Sequence, residues 1–137
     1  MSSVERVLGH IDANLGGSLD RLFALLRIKS ISADPHYKQD CRDGAEWCAR
    51  ILSEIGIEAS VRDTIGHPMV VGHYGGAGEG APHALFYGHY DVQPVDPVGL
   101  WERDPFDPAV VEVNGEKRIL ARGAEDDKGQ LMTFIEA

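Results

Sequence analysis

The chain is poor in cysteine and in positive charge, and it has no long apolar run. Its two cysteines, Cys41 and Cys48, lie seven positions apart. On one helix that spacing is roughly 10 Å of rise, beyond the ~7 Å that a disulfide can span. They read as free thiols, each a small buried apolar residue, which suits a reducing compartment. Thirteen basic residues stand against 22 acidic ones, a net charge of -9, which argues against nucleic acid or an anionic membrane surface as partner. No stretch approaches the ~18 apolar residues of a membrane span, and Met1–Gly9 is too polar for a secretory leader. These absences point to a cytoplasmic location. Internal repeats and low-complexity tracts are missing too. The remaining balance, 43% hydrophobic and 26% charged, is that of one globular domain with a single core.

Apolar residues from Val4 through Val7, Leu8, Ile11, Leu15, Leu19, Leu22, Phe23 and Leu26 recur at three- and four-residue spacing. That periodicity predicts an amphipathic helix from about Ser3 to Ile28, N-capped by Ser3, with Gly16-Gly17 as a point of kinking or splitting. Residues 30–39 read as a loop with an Asp34-Pro35 turn. A second helix is predicted over Asp43–Ile55, ending at a C′ glycine, Gly56. Strands follow at Ile57–Arg62, Met69–Tyr74 and Ala84–Tyr87, the last the most apolar and read as buried. Val92–Asp107 is irregular and broken by Pro94, Pro97 and Pro105. Val110–Val113 and Arg118–Ala121 flank Asn114-Gly115, a hairpin signal. A last helix begins near Asp127, with Leu131, Met132, Phe134 and Ile135 as its apolar positions. The mixture predicts an α/β fold with a partly antiparallel sheet. The final helix ends at Ala137 without a C-cap and is marginal alone, so the sequence reads as cut or as needing a surface on which that helix docks.

Two stretches carry chemistry. His89 and Asp91 lie two apart where a strand meets a loop, so both side chains leave one face. Imidazole is the commonest metal ligand, and an adjacent carboxylate fixes its tautomer; a strand-end histidine bonded to a turn aspartate fits the same spacing. Downstream, Arg122-Gly123-Ala124-Glu125-Asp126-Asp127-Lys128-Gly129 gathers three carboxylates in a glycine-flanked turn between strand and helix. Helix capping by Asp126 or Asp127 explains one acid well and three poorly. Lys128 opposes the helix dipole in the first turn, which predicts a carboxylate partner. The other histidines, His10, His36, His67, His73 and His83, lack a partner at ligand spacing. Trp47 and Trp101 read as core or loop anchors.

Three segments together resemble one family. They are Tyr87-Gly88-His89-Tyr90-Asp91-Val92-Gln93-Pro94, then Trp101 with Asp104-Pro105-Phe106, then Arg122 to Gly129. The family is the co-catalytic zinc peptidases and deacylases: carnosine-type dipeptidases, glutamate carboxypeptidases, aminoacylases and succinyl-diaminopimelate desuccinylase. Val92-Gln93-Pro94, the Trp101…Phe106 segment and Gly66-His67-Pro68-Met69-Val70 are most similar to its dipeptidase branch. The resemblance implies that residues 1–137 are the N-terminal portion of a three-layer αβα catalytic domain with a mixed sheet. It implies two Zn²⁺ ions, Mn²⁺ or Co²⁺ being accepted by such donors as well. It makes His89 a ligand of one ion, Asp126 the bridge between the two, Asp91 the catalytic carboxylate that orients His89, and the Asp126-Asp127 peptide bond cis. Asp127 would stand just outside the metal.

The same resemblance implies hydrolysis of a dipeptide bond by a metal-bridging water. The substrate would be a small peptide, or an N-acyl amino acid in the deacylase alternative. A Glu-Glu pair, a later Asp or Glu and a distant His complete such a site, and a lid domain mediates homodimerisation; no such segments occur in this sequence. Residues 1–137 alone are accordingly expected to be inactive. A non-catalytic binding remnant is the contrasting reading.

Overall fold

The computed structural model describes residues 2–137, and its first helix starts at Ser3, as the sequence suggests, but is capped one residue earlier. Ser2, not Ser3, is the N-cap: its hydroxyl accepts the Glu5 N–H (3.2 Å), and the Glu5 carboxylate accepts the Ser2 N–H (2.6 Å). This reciprocal capping box satisfies two donors that the helix cannot. Helix α1 (Ser3–Leu26) then runs unbroken through Gly16-Gly17. Two glycines cost such a helix about 1 kcal/mol each, and its docked C-terminal half outweighs them.

Helix α2 (Lys38–Glu54) starts five residues before the predicted Asp43. The Asp34 carboxylate accepts the His36 N–H (2.9 Å) and starts a 3-10 turn over Pro35–Tyr37 that leads directly into α2. The apolar period begins only at Ala45, which is why pattern alone misses this polar first turn. Gly56 follows α2 at φ +90, the left-handed conformation expected of it. Strands β1 (Glu58–Arg62) and β2 (Met69–His73) form one antiparallel pair beneath α2. Strands β3 (Ala109–Val113) and β4 (Glu116–Leu120) form a second, turning through Asn114 at φ 54 and Gly115 at φ 81, the signs a tight hairpin requires. Helix α3 (Lys128–Glu136) closes the order.

The chain is thus α/β, its strands arranged as two antiparallel hairpins with one parallel bridge, Ile31 to Val92. The predicted buried strand at 84–87 is corrected. No strand forms there, and Leu85 is 97% and Tyr87 82% exposed. The run has strand composition, but among the described residues no neighbour takes up its backbone hydrogen bonds.

Leu22, Leu25 and Leu26 of α1 meet Cys48 and Ile51 of α2 and Met132 and Ile135 of α3 in the main core. Burial of each large side chain is worth about 1.5–3 kcal/mol, so α3 is held by docking rather than by propensity. The N-terminal part of α1 leaves Val4, Val7, Leu8, Ile11 and Leu15 exposed. A smaller cluster of Ile31, Val92 and Phe106 fastens the segment after α1 to the segment after His89. Both cysteines are buried and free, and no helix among the described residues is long and apolar enough to cross a membrane.

Candidate metal centre

Helix α3 brings the two sequence stretches together. Asp127 is its N-cap, and Asp127 Oδ2 accepts the backbone N–H of His89 at 2.8 Å. That bond ties position 89 to the acidic turn 38 residues away. The peptide bond between Asp126 and Asp127 is cis. Asp126 projects from the turn with its side chain 81% exposed, its Oδ1 lying 3.1 Å from His89 Nε2. On the other side of the ring, His89 Nδ1 lies 3.1 Å from Asp91 Oδ1 and 3.2 Å from the Asp91 carbonyl oxygen. His89, Asp126 and Asp127 each offer a ligand atom, and these atoms lie within 4.8 Å of one another.

The donor set fits a divalent cation. A neutral imidazole carries one N–H. With that proton on Nδ1, facing two acceptors of Asp91, Nε2 directs a lone pair toward another acceptor, Asp126 Oδ1. Such a pair calls for a proton or a cation between its members. Ligands of a tetrahedral zinc with bonds near 2.0–2.1 Å stand about 3.3 Å apart, close to the 3.1 Å seen here. Without a cation the carboxylates favour the proton. Burial lowers the His89 pKa, but the Asp91 backbone bond, the Asp91 and Asp127 charges and the Asp126 hydrogen bond outweigh it, and the pKa is raised.

Lys128 does something other than expected. It makes no ion pair among the described residues; fully buried, it donates from Nζ to the carbonyl oxygens of Leu25 (3.0 Å) and Ile28 (2.7 Å). The end of α1 is rich in carbonyls and carries the negative pole of its dipole, and this takes the place of a carboxylate. Burial pushes the ammonium down to about 8, against the raising influence of Cys48, Cys41, Asp91 and Asp40.

The centre opens on a cleft of about 430 Å³ walled by Trp101, Arg122 and Glu125 beside His89, Asp91 and Asp126. Trp101 is anchored as expected, its indole N–H donating to the Val95 carbonyl at 2.9 Å. Its ring also packs against the Arg122 guanidinium, 5.2 Å from centroid to carbon. Sequence reasoning missed Ser32, whose hydroxyl donates to Asp91 Oδ2. At 59 positions' remove, no local spacing could reveal it. His67 is held by the Ser32 carbonyl, 2.8 Å from Nε2, and stands apart from the acidic cluster.

Known proteins resemble this chain in sequence and in fold. The model of peptidase family M20/M25/M40 matches residues 85–137, which include both motifs. The Cys-Gly metallodipeptidase dug1 of Schizosaccharomyces pombe is 30% identical over 145 residues, covering 98% of this chain and 30% of its own length. The succinyl-diaminopimelate desuccinylase of Bordetella pertussis is 34% identical over 110 residues, 80% of this chain and 27% of its own. The structure of the dipeptidase Dug1p of Saccharomyces cerevisiae superposes with a TM-score of 0.82 at 26% identity, over 97% of this chain and 30% of that one. The chain therefore spans less than a third of the length of these relatives. The chain thus shares its fold with Dug1p, and residues 85–137, which hold His89, Asp91 and Asp126, match the model of peptidase family M20/M25/M40.

Proposed function

We propose that these residues form part of the metal-binding catalytic domain of a divalent-metal-dependent dipeptidase. His89 and Asp126 are its ligands in this segment, and Asp91 is the carboxylate that orients His89. The observation that carries the reading is the imidazole of His89 set between two carboxylates, Nδ1 at Asp91 and Nε2 at Asp126, each at 3.1 Å. The likeness to a Cys-Gly metallodipeptidase over 98% of the chain supports the peptidase class. A small peptide is the substrate. The likeness to a desuccinylase supports the second reading, removal of an acyl group from an N-acyl amino acid.

Two zinc ions are the proposed occupants; His89 would hold one of them and Asp126 would be shared by both. Bound metal of this kind acidifies water and polarises a carbonyl. The work of this chain is to hold donors still. Asp127 fixes the backbone at His89, Asp91 accepts the Nδ1–H and leaves Nε2 free, and Asp126 presents its carboxylate to the cleft. One histidine and one bridging carboxylate fall short of the three protein ligands usual in a catalytic zinc site. The remaining ligands, the general base and a dimerising lid are proposed to lie in sequence outside these residues.

A Co²⁺ titration of the chelator-stripped chain, followed by its absorption spectrum, tests the reading. Weak binding is expected, weakened further by His89→Ala and by Asp126→Ala. Binding equal in all three proteins overturns the ligand assignment. In the same preparations, with Zn²⁺ and a panel of dipeptides, efficient release of amino acids by the chain alone would overturn the partial-site reading.

A further inference from the structure

A segment outside the sequence motifs completes the geometry at His89. Ser30, Ile31 and Ser32 run beside Tyr90, Asp91 and Val92, joined by the parallel bridge between Ile31 and Val92. Val92 N–H donates to the Ser30 carbonyl at 2.9 Å, and the fully buried Ser30 hydroxyl donates to the Tyr90 carbonyl at 2.7 Å. Pinned in this way, the segment delivers the Ser32 hydroxyl to Asp91 Oδ2. Asp91 Oδ1 then faces His89 Nδ1 at 3.1 Å. Behind Ser32, its carbonyl oxygen accepts from His67 Nε2 at 2.8 Å, which assigns the His67 proton to Nε2; His67 Nδ1 is buried without a partner. Tyr90 reaches the neighbouring Pro68 carbonyl with its hydroxyl at 2.5 Å. Ser32 is thus braced from both sides.

We propose that Ser32 is a positioning residue for His89: by occupying Asp91 Oδ2 it turns Oδ1 to the Nδ1–H of His89 and holds the imidazole in the tautomer that leaves Nε2 free. A carboxylate can rotate and exchange its two oxygens; a donor fixed on one of them removes that freedom. Which nitrogen of a neutral imidazole carries the proton is set by the hydrogen bond at Nδ1. Without Ser32 only the Asp91 carbonyl, at 3.2 Å, is fixed by the backbone as an acceptor for that proton. The consequence for metal rests on the ligand reading above, but the tautomer itself does not.

The test is long-range ¹H–¹⁵N spectroscopy of the metal-free chain, at alkaline pH where the imidazole is neutral. Wild type, Ser32→Ala and Ser32→Thr are compared, with a zinc titration of each and of Asp126→Ala. In wild type His89 is expected as the Nδ1–H tautomer, in Ser32→Ala as a mixture of both, and in Ser32→Thr as wild type again. Zinc affinity is expected to fall about tenfold in Ser32→Ala, the lower end for loss of a group that orients a ligand. Should Ser32→Ala perturb the fold, judged by its thermal midpoint, Ser32→Thr against Ser32→Val makes the same comparison at constant shape. An unchanged tautomer in the variants lacking the hydroxyl overturns the proposal. A changed tautomer supports it, whatever the zinc titration returns. Zinc binding indifferent to Asp126→Ala would instead remove the metal reading alone.

Discussion

Lys128 Nζ lies 2.7 Å from the carbonyl oxygen of Ile28 and 3.0 Å from that of Leu25, joining the end of α1 to the first residue of α3. The acidic turn that carries Asp126 and Asp127 immediately precedes this lysine. Its ammonium is wholly removed from solvent, so the two bonds offset a desolvation cost that a surface lysine would not meet. Lys128→Met keeps the apolar stem and deletes both bonds. A hydrogen bond to a charged group contributes about 1.5–3 kcal/mol, and the relieved desolvation recovers part of it. The variant is expected to lose about 2 kcal/mol in urea unfolding and to bind Co²⁺ more weakly than wild type.

The same lysine sets a pH window. Its folded pKa, about 8, lies below the ordinary 10.5. From pH 8 upward the unfolded chain therefore holds the proton that the folded chain has lost, and stability rises with pH. The buried thiols act in the opposite sense. Burial pushes Cys41 up to about 11 and Cys48 up to about 12 from 9.0, so above pH 9 the unfolded chain ionises first and stability falls. Relative to Lys128→Met, wild type is expected to gain about 1 kcal/mol between pH 8 and 9, the integral of one shifted group. Unfolding midpoints at several pH values, taken as the difference between the two proteins, measure it.

Arg21 and Glu136 close the outer edge of the same contact between α1 and α3. Two parallel bonds, from Nε and from Nη2, each span 2.5 Å, and the Ser18 hydroxyl adds a third donor to the carboxylate at 2.6 Å. The Arg21 hydrogen bond and that of Ser18 hold the Glu136 pKa below the usual carboxylate value against opposing burial. The arginine side chain is 44% exposed, so the pair is screened and worth about 0.5–1 kcal/mol. Arg21→Ala is expected to lower stability by that amount at neutral pH. The gap should narrow as acid protonates Glu136, which urea titrations at two pH values would detect.

What the sequence made legible followed from local rules. The hairpin at Asn114-Gly115, the glycine after α2, the start of α3 and the convergence of His89 with Asp91 each depend on neighbours within a few positions. Local rules do not reach the places where distant partners decide. Leu85-Phe86-Tyr87 has the composition of a buried strand, yet burial depends on neighbouring strands that the described residues do not supply. From its own helix Lys128 calls for a carboxylate; the carbonyls it meets belong to Leu25 of α1 and to Ile28 just after it, about a hundred residues earlier. Ser32 carries no pattern at all, and only the bridge between Ile31 and Val92 brings it to Asp91. The acidic turn is visible in sequence as a cluster of charges, but which of Asp126 and Asp127 bonds the backbone of His89 is not. It is Asp127 that receives the His89 N–H.

Gly129 is the position where the acidic turn tolerates least. It is the second residue of α3, and a Cβ built there would stand 2.0 Å from the carbonyl oxygen of Ala124. No side-chain rotation relieves that overlap, because both groups are fixed to backbone. In Gly129→Ala the turn from Ala124 to Lys128 has to move, and it carries Asp126 and Asp127 with it. Overpacking of a buried contact costs about 1–3 kcal/mol, and here the displaced group is main chain, so the upper end of that range is expected in urea unfolding. Gly9→Ala is the matched control. Nothing lies within 4 Å of its Cβ position in α1, and replacing an exposed helical glycine by alanine should stabilise by about 0.5–1 kcal/mol. Co²⁺ binding distinguishes the local consequence from the global one. Gly129→Ala should weaken it even under conditions where the protein remains folded, and Gly9→Ala should leave it unchanged; equal binding in both would mean that the turn can shift without moving the aspartates.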